Sequence, residues 1–104
     1  NYSKAEISWF NFPIILKNLK NKKRDTICEK LHKLGVETRP IISGNFVKQK
    51  IIKEKFKNLT KYQFNNADKI HTSGFMLGIS SKKLNPKVII RLANDIKKVI
   101  REIN

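Results

Sequence analysis

The sequence has little cysteine, little glycine and little negative charge, and each shortage excludes a class of protein. Its one cysteine, Cys28, excludes an intrachain disulfide and a cysteine metal cluster, and it is typical of a reducing compartment. We therefore expect a cytoplasmic protein. No apolar run approaches the roughly 20 residues of a membrane span, and no signal-peptide pattern is visible. No membrane partner is expected.

Residues for catalysis are also scarce. The four glycines stand apart, which excludes a Gly-rich phosphate loop, and the eight acidic residues are scattered among lysines without a pair for acid/base work. His32 and His71 have no partners at metal-ligand spacing, although His71 could hydrogen-bond to Asp68. Cys28 and His32 are spaced as a possible dyad, but no oxyanion site accompanies them. The chain is expected to hold no catalytic, metal-binding or cofactor-binding residue of its own.

What the sequence does have is enough apolar material for one domain. It contains 104 residues, of which 39% are hydrophobic, and we treat residues 1–104 as a single domain. Because the chain begins at Asn1 without a methionine, we expect it to be part of a longer protein. The formal net charge is +15, carried by 19 lysines and only four arginines. The lysines are spread from Lys4 to Lys98, so a small basic nucleic-acid-binding module is kept only as the alternative function.

The pattern of apolar residues predicts the element order β-α-β-(α)-α-β-α. Pro13 and Pro40 are expected in edge or irregular strands, since proline cannot donate to a sheet ladder. The first half of the chain is predicted to form a strand over Glu6–Leu16, a helix over Lys22–Leu34 between an Asn21 cap and Gly35, and a strand over Val36–Ile42. An irregular segment passing into a short helix is predicted over Phe46–Lys57, followed by a loop over Asn58–Asn65. The last predicted elements are a helix over Ala67–Ser73 capped by Asn66 and ended by Gly74, a strand over Phe75–Ile79, and a helix from Asn85-Pro86 to the C-terminus.

Two amphipathic helices and three short strands predict an α/β (α+β) fold, with helices packed on one face of a mainly antiparallel sheet. Trp9 and Phe10 are expected in the core, and Cys28 is expected to be a buried thiol beside it. The apolar stripes expected on the two long helices are Ile27, Leu31 and Leu34 on the first, and Val88, Leu92, Ile96, Val99 and Ile103 on the second.

Arg39 is the most suggestive polar residue, because it is an arginine in a chain that otherwise uses lysine. Its planar guanidinium can bind a phosphate or carboxylate with two hydrogen bonds. An irregular Gly44-Asn45 turn follows it and can present backbone N–H groups and the Asn45 amide to an anion. Equally, Arg39 can be structural and pair with Glu37 or with a helix C-terminus, and the residues alone leave the anion-binding and structural interpretations open.

Several motifs in order along the chain resemble a known family. They are Ser8-Trp9-Phe10-Asn11-Phe12, Glu37-Thr38-Arg39-Pro40, Ser43-Gly44-Asn45-Phe46-Val47-Lys48-Gln49, Asn66-Ala67-Asp68-Lys69-Ile70 and Gly74-Phe75-Met76-Leu77-Gly78. Together they are similar to the C-terminal segment of the DegT/DnrJ/StrS family of pyridoxal-phosphate-dependent nucleotide-sugar enzymes, most of all its sugar 3-dehydrase branch. The sequence departs from the family pattern at Asn11, where glycine is usual, and at Lys50, where proline is usual.

This resemblance implies the small C-terminal domain of a fold-type I aminotransferase, acting in lipopolysaccharide or other surface-polysaccharide synthesis. Pyridoxal phosphate or pyridoxamine phosphate would be bound by a separate N-terminal domain, which supplies the Schiff-base lysine or, in dehydrases, a histidine. The full-length enzyme would be a homodimer, and the fragment alone would be inactive. The residues implied to face the nucleotide sugar are Arg39, Gly44, Asn45 and Phe46.

Overall fold

The computed structural model describes residues 6, 8–17 and 23–103. The element order predicted from the sequence is confirmed. The strands and α-helices are β1 (Asn11–Ile15), α1 (Lys23–Lys33), β2 (Thr38–Pro40), α2 (Lys50–Lys55), α3 (Asn65–Ser73), β3 (Gly74–Gly78) and α4 (Pro86–Ile103). Single 3₁₀ turns lie before and after α2, at Phe46–Lys48 and Lys57–Leu59.

The three strands form one antiparallel sheet in the order β1-β3-β2. Pro13 and Pro40 lie in the two outer strands, as predicted, because an outer strand leaves one row of N–H groups outside the ladder. Both β1 and β2 pair with the central strand, which places Pro13 and Arg39 opposite Met76 from its two sides. The predicted α+β fold with an antiparallel sheet is confirmed.

Helices α1 and α4 cover one face of this sheet. Phe75 and Leu77 alternate along β3 and point into the core, whereas Met76 between them points to the opposite face. The buried cluster consists of Leu16, Ile27, Leu31, Phe75, Leu77 and Val99, with the half-buried Cys28 packed against it. In the part of the chain that is described, the helices are all too short or too polar to cross a membrane.

The helix ends follow the sequence signals. Gly35 adopts a positive φ of 80° after α1, and the N–H of Val36 donates to the carbonyl of Leu31 at 2.9 Å. This closes the helix as a Schellman motif, which requires a left-handed residue. At the start of α4, the side-chain oxygen of Asn85 accepts from the N–H of Lys87 at 2.9 Å, as expected of an N-cap before proline. The predicted Asn21 cap lies outside the described residues.

Several local predictions are wrong. Trp9 and Phe10 are 56% and 83% exposed, because they precede β1 and no described element covers them. Leu34, which directly follows α1, and Val88, in the first turn of α4, are also exposed, at 48% and 52%. Strands β1 and β2 are shorter than predicted, with β2 limited to three residues, whereas β3 keeps its predicted length but begins one residue earlier, at Gly74. A 3₁₀ turn at Lys57–Leu59 extends into the expected loop. Helix α3 begins at Asn65, so Asn66 lies inside it rather than at its cap.

Candidate substrate-binding loop

The segment that connects β2 to α2, residues 41–49, contains three of the four residues implied to bind substrate. We call it the β2–α2 loop. Gly44 has a φ of +64°, and a Cβ atom added to it would lie 3.0 Å from Cγ and 3.1 Å from Cα of His71. A side chain at this position would therefore be strained and would also overlap α3. Because glycine has no side chain, the loop can lie closely against that helix at this position.

Asn45 is the residue that anchors the loop. It is only 3% exposed, and it is the buried polar residue among those described. Its side-chain oxygen accepts from the N–H of Val47 at 3.1 Å, which caps the 3₁₀ turn, and its Nδ2 donates to Oδ1 of Asp68 at 2.7 Å. The expectation that this amide is exposed to an anion is wrong, because both of its polar atoms are engaged inside the fold.

Asp68 receives two contacts from the loop. Besides Asn45, Nζ of Lys48 lies 2.6 Å from the same carboxylate oxygen. The hydrogen bond from Lys48 and then that from Asn45 hold the pKa of Asp68 below its ordinary value. The side chain of Asp68 thus contacts Lys48 and Asn45 in place of the His71 hydrogen bond that the sequence suggested. Among the groups that lower the Asp68 pKa, His71 has the smallest effect.

Arg39 lies on the uncovered face of the sheet. Its Nε and Nη2 donate to Oε1 of Glu37 at 2.9 and 2.8 Å, so the pairing weighed as the structural alternative is present. Both side chains are nonetheless about 70% exposed, at 69% and 73%. Arg39 also lines a groove of about 570 Å³ with an apolar wall formed by Phe10, Ile41, Ile42, Met76 and Ile79.

Phe46 lines a second groove, on the other side of Ile41 and Ile42. This groove has a volume of about 540 Å³ and also contacts Arg24, Gln49 and His71. The Phe46 side chain is 58% exposed and Ile42 is 82% exposed. Because Ile41 and Ile42 line both grooves, the two adjoin each other, and together we call them the open side of the molecule.

The comparison with known proteins agrees with the motifs in the sequence. A model of the DegT/DnrJ/EryC1/StrS aminotransferase family matches residues 1–97. The chain belongs to this family. The family predicted from the sequence motifs is therefore confirmed.

Two relatives bear the name GDP-4-keto-6-deoxy-D-mannose 3-dehydratase. The protein of Yersinia pseudotuberculosis is 34% identical over 94 residues, which cover 90% of this chain and 24% of the relative. The protein of Escherichia coli O55:H7 is 33% identical over 74 residues, which cover 71% of this chain and 19% of the relative. The chain thus spans about a quarter or less of the length of these relatives. No solved structure matches it.

In this member of the aminotransferase family, the four implied site residues divide into two groups. Gly44, Asn45 and Phe46 are consecutive on the loop, whereas Arg39 faces the neighbouring groove across Ile41–Ile42. The departure at Lys50 has a simple explanation. Lys50 is the first residue of α2, where proline is favoured because its missing N–H has no helical partner, and lysine can also occupy that position.

Arg24 is a residue near the site that the sequence did not indicate. From the first turn of α1, its Nη1 donates to the carbonyl of His71 at 2.8 Å, while Asp25 pairs with the same guanidinium. It thereby ties the end of α3 to α1, and it borders the groove of Phe46. The only available signal was its rarity, as one of four arginines, because 47 residues separate it from His71.

The remaining candidates have ordinary environments. His32 is exposed, and its Nε2 accepts from the N–H of Thr38 at 3.1 Å. Cys28 is half-buried against the core rather than fully buried. Across residues 6, 8–17 and 23–103, no three histidine, cysteine or acidic side chains cluster as a metal site would require.

Proposed function

We propose that this chain is the C-terminal domain of a pyridoxal-phosphate-dependent nucleotide-sugar aminotransferase or 3-dehydrase that serves lipopolysaccharide or other surface-polysaccharide synthesis. In this proposal the domain closes one side of the substrate cleft and is inactive alone. The full-length enzyme is a cytoplasmic homodimer that holds pyridoxal phosphate or pyridoxamine phosphate in its other domain.

The observation that carries the proposal is the family match together with its extent. Residues 1–97 match the family, and 90% of the chain aligns with only 24% of a protein named as a GDP-sugar 3-dehydratase. This extent supports a domain that contributes to substrate binding while the rest of the enzyme provides the other residues of the active site. The same name supports a nucleoside diphosphate sugar as the class of substrate.

The described residues do not fit a pyridoxal phosphate site. Such a site needs a lysine or histidine in an enclosed pocket, together with hydrogen-bond donors for the cofactor phosphate. Every described lysine is at least partly exposed, and no buried side-chain nitrogen or oxygen in the described ranges lacks a hydrogen-bond partner. The proposal therefore assigns the cofactor to the part of the enzyme outside this chain.

Arg39 is the residue proposed to bind the pyrophosphate of the substrate. Its pairing with Glu37 does not oppose this role, because an ion pair between exposed side chains contributes only about 0–1 kcal/mol. A diphosphate offers more charge than one carboxylate and can accept two parallel hydrogen bonds from a guanidinium. Arg39 can thus exchange Glu37 for a substrate phosphate at little cost.

The apolar residues of the open side support the closing of a cleft. Phe10, Ile42 and Phe46 are 83%, 82% and 58% exposed, and they border two adjoining grooves. Large exposed apolar patches with a polar rim are typical of interaction surfaces and binding grooves. We propose that these residues contact the nucleotide sugar and the cofactor-binding domain.

The nucleic-acid-binding alternative gains no support from the distribution of charge. The described lysines are spread over α1, α2, α3 and α4 and the segments that flank these helices, and are not gathered in one element. A dedicated nucleic-acid interface would instead concentrate basic residues on one surface.

The test uses the full-length enzyme and measures kcat and KM for a nucleoside diphosphate 4-keto-6-deoxy sugar. Because a charge-assisted hydrogen bond contributes about 1.5–3 kcal/mol, we expect Arg39→Ala to raise KM about tenfold or more, with little change in kcat. Arg39→Lys keeps the positive charge but not the planar guanidinium, so its KM should lie between those of the wild-type and Arg39→Ala enzymes.

The control is Arg91→Ala. Arg91 is also exposed and also pairs with a carboxylate, Asp95, but on α4. Its removal should leave KM unchanged. The proposal would be contradicted if the wild-type enzyme neither bound nor turned over a nucleotide sugar. Equal KM values for the Arg39→Ala and wild-type enzymes would instead contradict the role of Arg39 alone.

A further inference from the structure

We propose that Asp68 is a positioning residue for substrate binding, which holds the β2–α2 loop in the conformation that presents Phe46 and Ile42 to the cleft. This inference rests on the proposed function, and it assigns the role to a residue outside the loop. Asp68 lies on α3, and 23 residues separate it from Asn45.

The loop depends on side-chain contacts for its attachment to α3. Its own backbone hydrogen bonds are local: the N–H of Lys48 donates to the carbonyl of Asn45 at 3.1 Å, and that of Gln49 donates to the carbonyl of Phe46 at 3.0 Å. These bonds shape the 3₁₀ turn but do not fix its place on the molecule. The polar contacts that reach α3 are those of Asn45 and Lys48 with Asp68. Gly44 also approaches His71 closely, and the side chain of Ile41 lies beside Gly74, where α3 ends.

The contact between Asn45 and Asp68 is the stronger constraint of the two side-chain contacts. Asn45 is 3% exposed, so water cannot readily replace the carboxylate as the acceptor for its Nδ2. Lys48, in contrast, keeps a side chain that is 41% exposed and can be solvated. Removal of Asp68 would leave a buried N–H group without its acceptor, so that either the loop moves or water enters in place of the carboxylate, and in both cases the attachment of the loop to α3 is lost.

Movement of Asn45 would displace the groove residues. Phe46 follows Asn45 directly, and its half-exposed ring has little packing of its own to hold it in place. Asn45 also caps the turn that contains Phe46. The apparent affinity for substrate falls in proportion to the fraction of molecules in the competent conformation. Asp68 would therefore affect KM without touching the substrate.

The chain offers a closely matched control in Glu102. Glu102 pairs with Lys30 at 3.0 Å, with side chains 44% and 40% exposed, whereas Asp68 and Lys48 are 37% and 41% exposed. Neighbouring lysines lower the pKa of both carboxyl groups. The difference is that Asp68 also accepts from a buried amide. Glu102→Gln thus removes an equivalent charge without releasing the loop.

The experiment measures kcat, KM and amide hydrogen exchange of residues 41–49 in the full-length enzyme. For Asp68→Ala we expect faster exchange of the loop amides, including that of Val47, and a KM increased about tenfold with kcat within about twofold, as expected when a competent state is depopulated. Asp68→Asn keeps an acceptor for Asn45 and should have a smaller effect. Glu102→Gln should change neither quantity.

A reciprocal exchange adds a rescue. Asn45→Asp alone places two carboxylates against each other and should release the loop. Asn45→Asp combined with Asp68→Asn restores one amide–carboxylate pair and should bring KM most of the way back to the wild-type value. If the wild-type enzyme binds nucleotide sugar but Asp68→Ala binds it equally well, the inference fails while the proposed function stands. If the loop amides exchange at the wild-type rate in Asp68→Ala, the inference also fails. If the wild-type enzyme binds no nucleotide sugar, the proposed function fails, and this inference fails with it.

Discussion

Apolar residues are buried where α1 and α4 cover the sheet and exposed along the two grooves of the open side. On the side covered by α1 and α4, Ile27 and Leu31 of α1 and Phe75 of β3 are at most 1% exposed and belong to one buried cluster. On the open side, Ile42 and Phe46 are more than half exposed although they are equally apolar. The covered side supplies stability from within the chain. The open side leaves its apolar side chains uncovered by the described residues, and the proposed function assigns them to contacts with the substrate and the other domain.

Polar contacts differ between the sides as well. The Lys30–Glu102 pair joins α1 to α4 at the surface, where each partner can be solvated. The Lys48–Asp68 pair has similar exposure, but its carboxylate also holds the buried Asn45. The same type of ion pair is therefore incidental on one side and part of the loop attachment on the other.

The largest difference is expected for core truncation. Leu31→Ala removes a fully buried side chain and should destabilise the domain by about 2–5 kcal/mol. Ile42→Ala removes a side chain that is 82% exposed, and the change should stay within about 0.5 kcal/mol. The measurement is the opening free energy from hydrogen exchange of the β3 amides in the full-length protein. Equal losses for the two variants would show that the open side is packed as tightly as the core.

A second comparison uses two glycines with positive φ. Gly35 ends α1 with open space around it, whereas Gly44 lies against His71. Gly35→Ala should cost about 1–2 kcal/mol from the left-handed backbone alone. Gly44→Ala carries the same strain plus the overlap with α3, so it should destabilise more and should also raise KM.

The readouts for the glycine pair are thermal unfolding and hydrogen exchange of residues 41–49. Adding His71→Ala to Gly44→Ala should relieve the overlap with the imidazole and recover part of the loss, leaving the close approach to the His71 Cα and the backbone strain. If Gly44→Ala were no worse than Gly35→Ala, the loop would not be held closely against α3.

The smallest expected effect concerns pH. Because the pKa of Asp68 is lowered in the folded state, its stabilising contribution is complete above the ordinary aspartate value near 4, and it is lost as the pH falls through the folded-state value. Lys48→Met should raise the Asp68 pKa only part of the way to its ordinary value, since Asn45 remains. Lys30→Met should return the pKa of Glu102 almost fully to its ordinary value, because Lys30 is its main partner.

Carboxyl-carbon NMR titration of the two side chains measures both values. A complete return of the Asp68 pKa in Lys48→Met would mean that Asn45 does not contribute in solution.

Local signals in the sequence predicted local structure well. The stripe of Ile27 and Leu31, the turn at Gly35 and the cap at Asn85 each depend on residues within one or two helical turns, and all are confirmed. Trp9 and Phe10 were placed wrongly because strand-like composition does not reveal whether a second layer covers it. The pairing of Asp68 with Asn45 was missed because the spacing of two polar residues in different elements has no periodic signature.

By itself, the sequence determined the order of the elements, the end of α1, the start of α4, the edge positions of the two prolines and the family. Each follows from short-range sterics, from hydrogen bonding within a few residues, or from motifs that can be recognised in order along the chain. Only the tertiary structure decided which apolar residues are buried and how the β2–α2 loop is held. Both depend on the approach of residues far apart in sequence, where Asn45 meets Asp68 and Gly44 meets His71.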